Sequence, residues 1–264
     1  MGSAQLSFKF HGCDVKCLAQ QSAKTRAVEP GDTMNKTLAN LLHTPPFYDS
    51  VEFVNKQFQI SLLKFYREPE ALALIDQAFR QADLQMNPLD AYSLYSLARM
   101  QANVPGSMVE IGMYRGGSAG IICQLKGDKK FYGFDTFEGL PSLGKEDEKW
   151  FRENQYSARQ DAVAAYLAKF TGVTLTKGRF PESGSILHGE RLSFVNLDVD
   201  LYKGMIDSLN FLWEKMNDRG LILIHDTHLG GVKKAIAEFL EGHKATSFDC
   251  GCSQIALIRL IRMS

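Results

Sequence analysis

The chain has 264 residues, long enough for one α/β domain with an extension and for a sizeable buried core. Lysine plus arginine and aspartate plus glutamate balance at 30 each, so net charge gives no reason to expect a nucleic acid or an anionic membrane as partner. Hydrophobic content of 45% and charged content of 23% are ordinary for a globular protein, and no apolar run reaches the ~18–20 residues that span a bilayer.

The five cysteines, Cys13, Cys17, Cys123, Cys250 and Cys252, are odd in number and form no CxxC knuckle. Reduced thiols are expected, in preference to a disulfide framework or a zinc site built from the two close pairs. No basic stretch followed by an apolar run and a small-residue cleavage site is visible, so a cytoplasmic location is the expectation.

In chain order, residues 1–45 read as an irregular arm that ends near Pro45-Pro46. Residues 46–264 read as one domain, and its first part, 46–105, as a helical cap. Apolar residues recur at helical spacing over 70–79 and 89–98, and Pro88 suits the entry of the second helix. From Ser107 the pattern becomes alternating strand and helix. A buried strand over 107–111 leads into a helix over 118–125. A second strand over 130–134 closes on Asp135, and a long polar stretch, 136–157, follows. Then come a helix over 158–170, a strand over 173–176 and a strand over 192–197 closing on Asp198. A helix over 203–216 precedes a strand over 221–224, which closes on His225-Asp226. A helix over 232–240 and two strands, 245–249 and 254–261, complete the chain.

Repeated strand–helix units imply a parallel sheet with helices on both faces. The Cys-Gly-Cys turn before the last strand is too short for a crossover, so that strand runs antiparallel to its neighbour. The predicted fold class is α/β: a Rossmann-like, mostly parallel sheet with a C-terminal antiparallel strand.

Three groups of residues carry chemistry. The first is Val109-Glu110-Ile111-Gly112-Met113-Tyr114-Arg115-Gly116-Gly117-Ser118, where glycines let the backbone turn sharply and the next helix offers free N–H groups. A pyrophosphate-binding loop has the spacing GxGxxG. This loop has GxxxGG with Arg115 crowding it, and Glu110 suits a cofactor that bears an ammonium group. Packing glycines in a tight turn are the plainer alternative. The second is Asp135, placed at a strand's carboxyl end to hold ribose hydroxyls. The third pairs Asp198-Val199-Asp200 with His225-Asp226-Thr227-His228, both at carboxyl ends of strands. If those strands are neighbours, the acids converge beside the switch point where open α/β sheets bind ligands. Converging carboxylates repel unless a cation joins them, and an oxygen-rich set suits Mg²⁺ or Mn²⁺.

The stretch 136–157 reads either as a lid, with Trp150, Phe151 and Tyr156 shielding an acceptor, or as an insertion without structure. The run Lys145-Glu146-Asp147-Glu148-Lys149 reads as a solvated face.

Taken together, VEIGMYRGGSA, YGFDTFEGLP, LDVDLYKG and LIHDTH resemble the macrocin O-methyltransferase family, over roughly residues 85–240. That family belongs to the class I methyltransferases, metal-dependent enzymes that methylate natural-product sugars. The resemblance implies an S-adenosylmethionine site at Glu110, Gly112, Tyr114, Gly116, Ser118, Asp135, Phe137 and Glu138. It implies Asp198, Asp226 and His225 at a Mg²⁺ or Mn²⁺ ion, and Asp200 as general base or a further ligand beside Asp198. The family pattern has two adjacent acids where this chain has His225-Asp226. The expected activity is methyl transfer to a hydroxyl of a sugar or sugar-bearing small molecule. The rivals are an NAD-dependent oxidoreductase, which the missing GxGxxG disfavours, and a non-catalytic Rossmann-fold module, which has little use for clustered acids. A homo-oligomer is a further expectation, with no nucleic acid and no membrane as partner.

Overall fold

The computed structural model describes residues 45–260. The predicted N-terminal arm, with Cys13 and Cys17, lies outside the described residues, save Pro45, which opens a helix. The chain divides into two units, Met1–Val54 and Asn55–Ser264. Helix α1 (Pro45–Tyr66) begins in the first and ends in the second. It was not visible as a helical pattern because its apolar residues face outward: Phe58, Leu62 and Phe65 are exposed while Gln59 and Leu63 are buried.

The rest of the second unit follows the expected alternation. Helices α2 (Pro69–Ala82) and α3 (Pro88–Gln101) each start with proline in the first turn, where the missing N–H costs nothing. Then come β1 (Ser107–Ile111), α4 (Gly117–Leu125), β2 (Phe131–Asp135), α5 (Gln160–Leu167) and β3 (Val173–Lys177). A short 3₁₀ turn, Gly184–Leu187, precedes β4 (Leu192–Leu197), α6 (Tyr202–Trp213), β5 (Met216–Ile224) and α7 (Gly230–Gly242). Strands β6 (Thr246–Cys250) and β7 (Gln254–Ile258) end the described chain.

The seven strands form one sheet in the order β3-β2-β1-β4-β5-β7-β6. The first five are parallel, and β7 runs antiparallel to both β5 and β6. Side-chain alternation sorts the core into two layers. Val109, Ile111, Val195 and Leu197 face α6 and α7, whereas Met108 and Phe194 face α3 and α4. The order reverses direction between β1 and β4, which puts the ends of β1, β2, β4 and β5 at one edge.

The last hairpin turn is held from across the fold. Asp90, in the first turn of α3 and 1% exposed, accepts hydrogen bonds from the backbone N–H of Cys252 and of Ser253 and from the Ser253 hydroxyl. The Cys-Gly-Cys turn is therefore a corner buttressed by α3.

Candidate active site

Strand β1 ends in the glycine loop. Gly112 has φ of 82°, and a Cβ there would collide with the carbonyl oxygen of Asp198. The glycine is demanded by the closeness of the β4 end, before any ligand is considered. Asp135 organises the same loop: its Oδ2 accepts from the N–H of Met113 at 2.7 Å and of Tyr114 at 2.8 Å, and its Oδ1 from Phe137 N–H at 2.6 Å. Tyr114 and Phe137 both take positive φ, 48° and 56°, and these bonds hold them there. Gly116 caps α4, whose first turn carries Ser118.

Glu110 lies on the opposite side of β1 from Val109 and is completely buried. Burial raises its carboxyl pKa to about 8, against the opposing influence of the nearby Ser118 hydroxyl and of the Asn196 amide. Oε1 accepts from the Asn196 amide at 2.8 Å, while Oε2 has no hydrogen-bond partner. A buried carboxyl oxygen without a partner is a place for a donor to arrive.

Asp198, Asp200 and Asp226 are half-buried, and one oxygen from each lies within 4.8 Å of the others. Asp200 and Asp226 sit in left-handed backbone conformation, φ 58° and 54°, which aims neighbouring chain ends at one point. Burial, then the charges of Asp226 and Asp200, push Asp198 well above the ordinary carboxylate range. Burial, then Asp226, raise Asp200 to about 7. Three crowded carboxylates that resist ionising are a ready oxygen site for a hard divalent ion. Among the described residues this is the group with the geometry to hold one.

His225 does not join that group. Its ring is 3% exposed, with Nε2 2.7 Å from Asn196 Oδ1 and Nδ1 3.9 Å from Asp198 Oδ2. Gln254 Nε2 approaches Nδ1 at 3.3 Å from β7. His228 is exposed, with Nδ1 3.8 Å from Asp226 Oδ1. Phe137 packs in the core layer of α3 and α4. Glu138 turns to the surface, where it pairs with Lys177 at 2.9 Å.

The 136–157 segment is an ordered loop. Leu140 N–H donates to the Gln155 carbonyl and Asn154 N–H to the Leu140 carbonyl, which ties its ends together. Phe151 is buried in the layer of α6 and α7, while Trp150 is exposed. Tyr156 meets Tyr114 edge-on, ring centroids 6.0 Å apart, so the loop's end reaches the glycine loop. Burial first, then the charges of Asp200, Asp226 and Asp198, raise the Tyr156 phenol pKa, so the same residue also faces the acids.

Asn196 and Gln254 escaped sequence reasoning. The signal for Asn196 was present: one amide in a strand, LSFVNL, buried at every position. A polar side chain in such a strand needs a partner.

The family model for macrocin O-methyltransferase (TylF) matches residues 91–248. The chain belongs to that family. A tetracenomycin-C rhamnosyl 4'-O-methyltransferase of Streptomyces olivaceus is 26% identical over 152 residues, covering 52% of this chain and 58% of that protein. Demethyldecarbamoylnovobiocin O-methyltransferase of Streptomyces niveus is 24% identical over 166 residues, covering 53% of this chain and 63% of that one. The chain thus spans less than two thirds of the length of these relatives.

Among solved structures, the O-methyltransferase NovP superimposes with a TM-score of 0.57 at 18% identity, covering 80% of this chain and all of that one. CalS11, a calicheamicin methyltransferase, gives 0.58 at 16% identity, covering 81% and 93%. TomG of Streptomyces achromogenes, in complex with SAM, gives 0.53 at 18% identity, covering 79% and 98%. At such identities the likeness is one of fold, and it places this macrocin O-methyltransferase family member on the class I methyltransferase sheet.

Proposed function

We propose that this chain is an S-adenosylmethionine-dependent O-methyltransferase acting on a hydroxyl of a natural-product sugar, with a divalent ion, Mg²⁺ or Mn²⁺, at the acidic cluster. The observation that carries the reading is the convergence of Asp198, Asp200 and Asp226 at the switch-point edge beside the glycine loop that follows β1. The unpartnered Glu110 Oε2 fits an ammonium group, and Asp135 stands where a ribose binds in this fold. When bound, the cofactor supplies an electrophilic methyl group and the ion a charge that orients and acidifies adjacent hydroxyls.

The chain's own residues do the rest. Asp198 and Asp226 hold the ion, with His225 behind them rather than on it. Asp200, raised to about 7 by burial and Asp226 in the ion-free chain, is ionised once an ion joins the cluster and takes the proton of the attacking hydroxyl. Tyr114 and Tyr156 wall the cleft and exclude water from the reacting oxygen. Ser118 and Gly116 keep the first turn of α4 against the cofactor, and Phe137 and Glu138 border it through the backbone held by Asp135. The name of the Streptomyces olivaceus relative, which carries a rhamnosyl group in its acceptor, supports a sugar acceptor.

The test uses labelled S-adenosylmethionine, a panel of glycosylated acceptors and Mg²⁺, with the site of methylation read by mass spectrometry. Label transfer that disappears with EDTA and in Asp198→Ala is expected. Transfer indifferent to both would remove the acids from the reaction, and binding of NAD in place of S-adenosylmethionine would remove the methyltransferase reading.

A further inference from the structure

The acidic run 146–148, expected to be a solvated face, is bonded on the inner side of its loop. Helices α6 and α7 follow directly on the two segments that carry the clustered acids, and neither caps itself. Their N-cap residues are Leu201 and Leu229, without a side-chain cap, and neither first turn contains an acid. Such helix starts leave N–H groups in need of acceptors and a partial positive charge in need of an anion. The loop supplies both. Asp147 Oδ1 accepts from Tyr202 N–H at 2.8 Å, and its Oδ2 accepts from Gly144 N–H at 2.7 Å, fixing the loop's own turn. Glu148 Oε1 accepts from Gly230 N–H at 2.9 Å. Glu146 pairs with Lys234, one turn into α7, at 3.2 Å.

An independent observation comes from the glycine pair at the start of α7. Gly230 and Gly231 both have ordinary negative φ, so no backbone conformation demands them. What demands them is space. A Cβ on Gly231 would stand 3.0 Å from Asp147 Oδ1 and 3.2 Å from the Glu146 carbonyl, and one on Gly230 would stand 3.3 Å from Glu148 Oε1. The seat on the two helix starts is shaped to the loop.

We infer that Asp147 and Glu148 are positioning residues, a double clasp by which one loop caps α6 and α7 together and so sets the spacing of Asp198 and Asp200 against Asp226. Tyr202 is two residues beyond Asp200, and Gly230 four beyond Asp226, so each clasp bond closes the short segment that holds an acid. The same loop carries Tyr156 to the cleft, so seating the clasp also seats that wall. The effect on the acids rests on the metal reading above; the seating of the loop does not.

The test compares wild type with Asp147→Ala/Glu148→Ala, Gly231→Ala and Asp147→Asn, all free of cofactor. Trypsin cleavage is mapped at Lys149 and Arg152, both exposed in this loop. Mn²⁺ half-saturation is read by electron paramagnetic resonance, and melting temperature monitors the whole fold. The double variant is expected to be cut at Lys149 ~10-fold faster, because a loop without its anchors opens locally. Its Mn²⁺ half-saturation is expected to rise ~10-fold, the usual loss when a group behind the ligands is removed. Gly231→Ala, which keeps the acids but fills their seat, should do the same, and Asp147→Asn, which keeps an acceptor, should recover most of both. Unchanged cleavage overturns the clasp, and faster cleavage with an unchanged Mn²⁺ midpoint overturns its hold on the acids. If the double variant melts as a broken fold, Gly231→Ala and Glu148→Ala are each read alone by the same two criteria. A wild type that binds no Mn²⁺ defeats the metal reading separately, and the clasp is then judged on cleavage.

Discussion

His225 sets Nε2 2.7 Å from the Asn196 Oδ1, while its Nδ1 stands 3.9 Å from Asp198 Oδ2, behind the three grouped acids. The Asn196 amide nitrogen is committed to Glu110, which leaves its oxygen for the ring and makes Nε2 the protonated nitrogen. Burial depresses the ring's pKa, so the histidine is neutral. The chain of Glu110, Asn196, His225 and Gln254 thus links β1, β4, β5 and β7 beneath the site.

This predicts a division of labour at the metal. His225→Gln, which keeps a donor to Asn196, should leave Mn²⁺ affinity within about 10-fold of wild type, as for a residue behind the ligands. Asp198→Asn and Asp226→Asn should abolish measurable binding. Calorimetric titration checks both, and a histidine variant as damaged as the aspartate ones would make His225 a ligand after all.

Glu110 predicts a stability profile. In the unfolded chain its carboxyl loses its proton near 4.5, whereas in the fold the proton stays until about pH 8. Between those values the folded state holds the extra proton, so stability falls as pH rises and levels off above 8. Over the whole interval the loss is on the order of 5 kcal/mol. Glu110→Gln carries no such proton and keeps an acceptor for Asn196. Urea titrations from pH 5 to 8.5 should show its stability declining less, with a relative gain at the alkaline end. Parallel curves would mean that Glu110 ionises freely inside the fold.

Most of the fold could be read from the sequence because buried strands and amphipathic helices carry their own periodicity. One helix and one strand start could not. Helix α1 turns Phe58 and Phe65 to the outside, so its apolar spacing marks no core face. Strand β5 begins at Met216, not 221, because Asn217 to Gly220 look like a turn, yet Arg219 N–H and the Gly220 carbonyl pair with Arg259. At the site, the positions of the acids followed from strand ends, and strand order then brought Asp198 and Asp226 together. Directions of side chains did not follow. Sequence could place His225 beside Asp226 but could not say that Asn196, on the neighbouring strand β4, would bond its ring. Nor could it say that Glu146, Asp147 and Glu148, in a loop with no periodicity, would find two uncapped helices.

Asp200 predicts how the acids respond to an ion. Burial and Asp226 hold its pKa at about 7 in the chain alone. A divalent ion in the cluster stabilises the ionised form, so the value must fall when the ion binds. Carboxyl ¹³C titration of the cofactor-free protein should give a midpoint near neutrality without metal and a lower one with Mg²⁺. Asp200→Asn should cost methyl transfer ~10²–10⁴-fold, the range for loss of a general base. A midpoint that Mg²⁺ leaves in place would put the ion elsewhere.

Asp90 predicts a cost far from the chemistry. Removing its carboxylate, itself buried, leaves the Cys252 and Ser253 N–H groups without their acceptor in a part-buried corner. An unsatisfied buried group costs about 1–3 kcal/mol, so Asp90→Ala should lose roughly 3 kcal/mol. For a domain of this size that lowers the melting temperature by roughly 6–12 °C. Asp90→Asn keeps an acceptor oxygen and should lose less than half as much. Because Gln254 also donates to the Asp90 carbonyl, a main-chain atom that both variants retain, the side chain beneath His225 should stay in place. Mn²⁺ affinity in Asp90→Ala should therefore match wild type at 15 °C, well below its melting point. A variant that melts with wild type would show that the turn holds itself, and one that melts early and also loses Mn²⁺ would tie the hairpin corner to the acids.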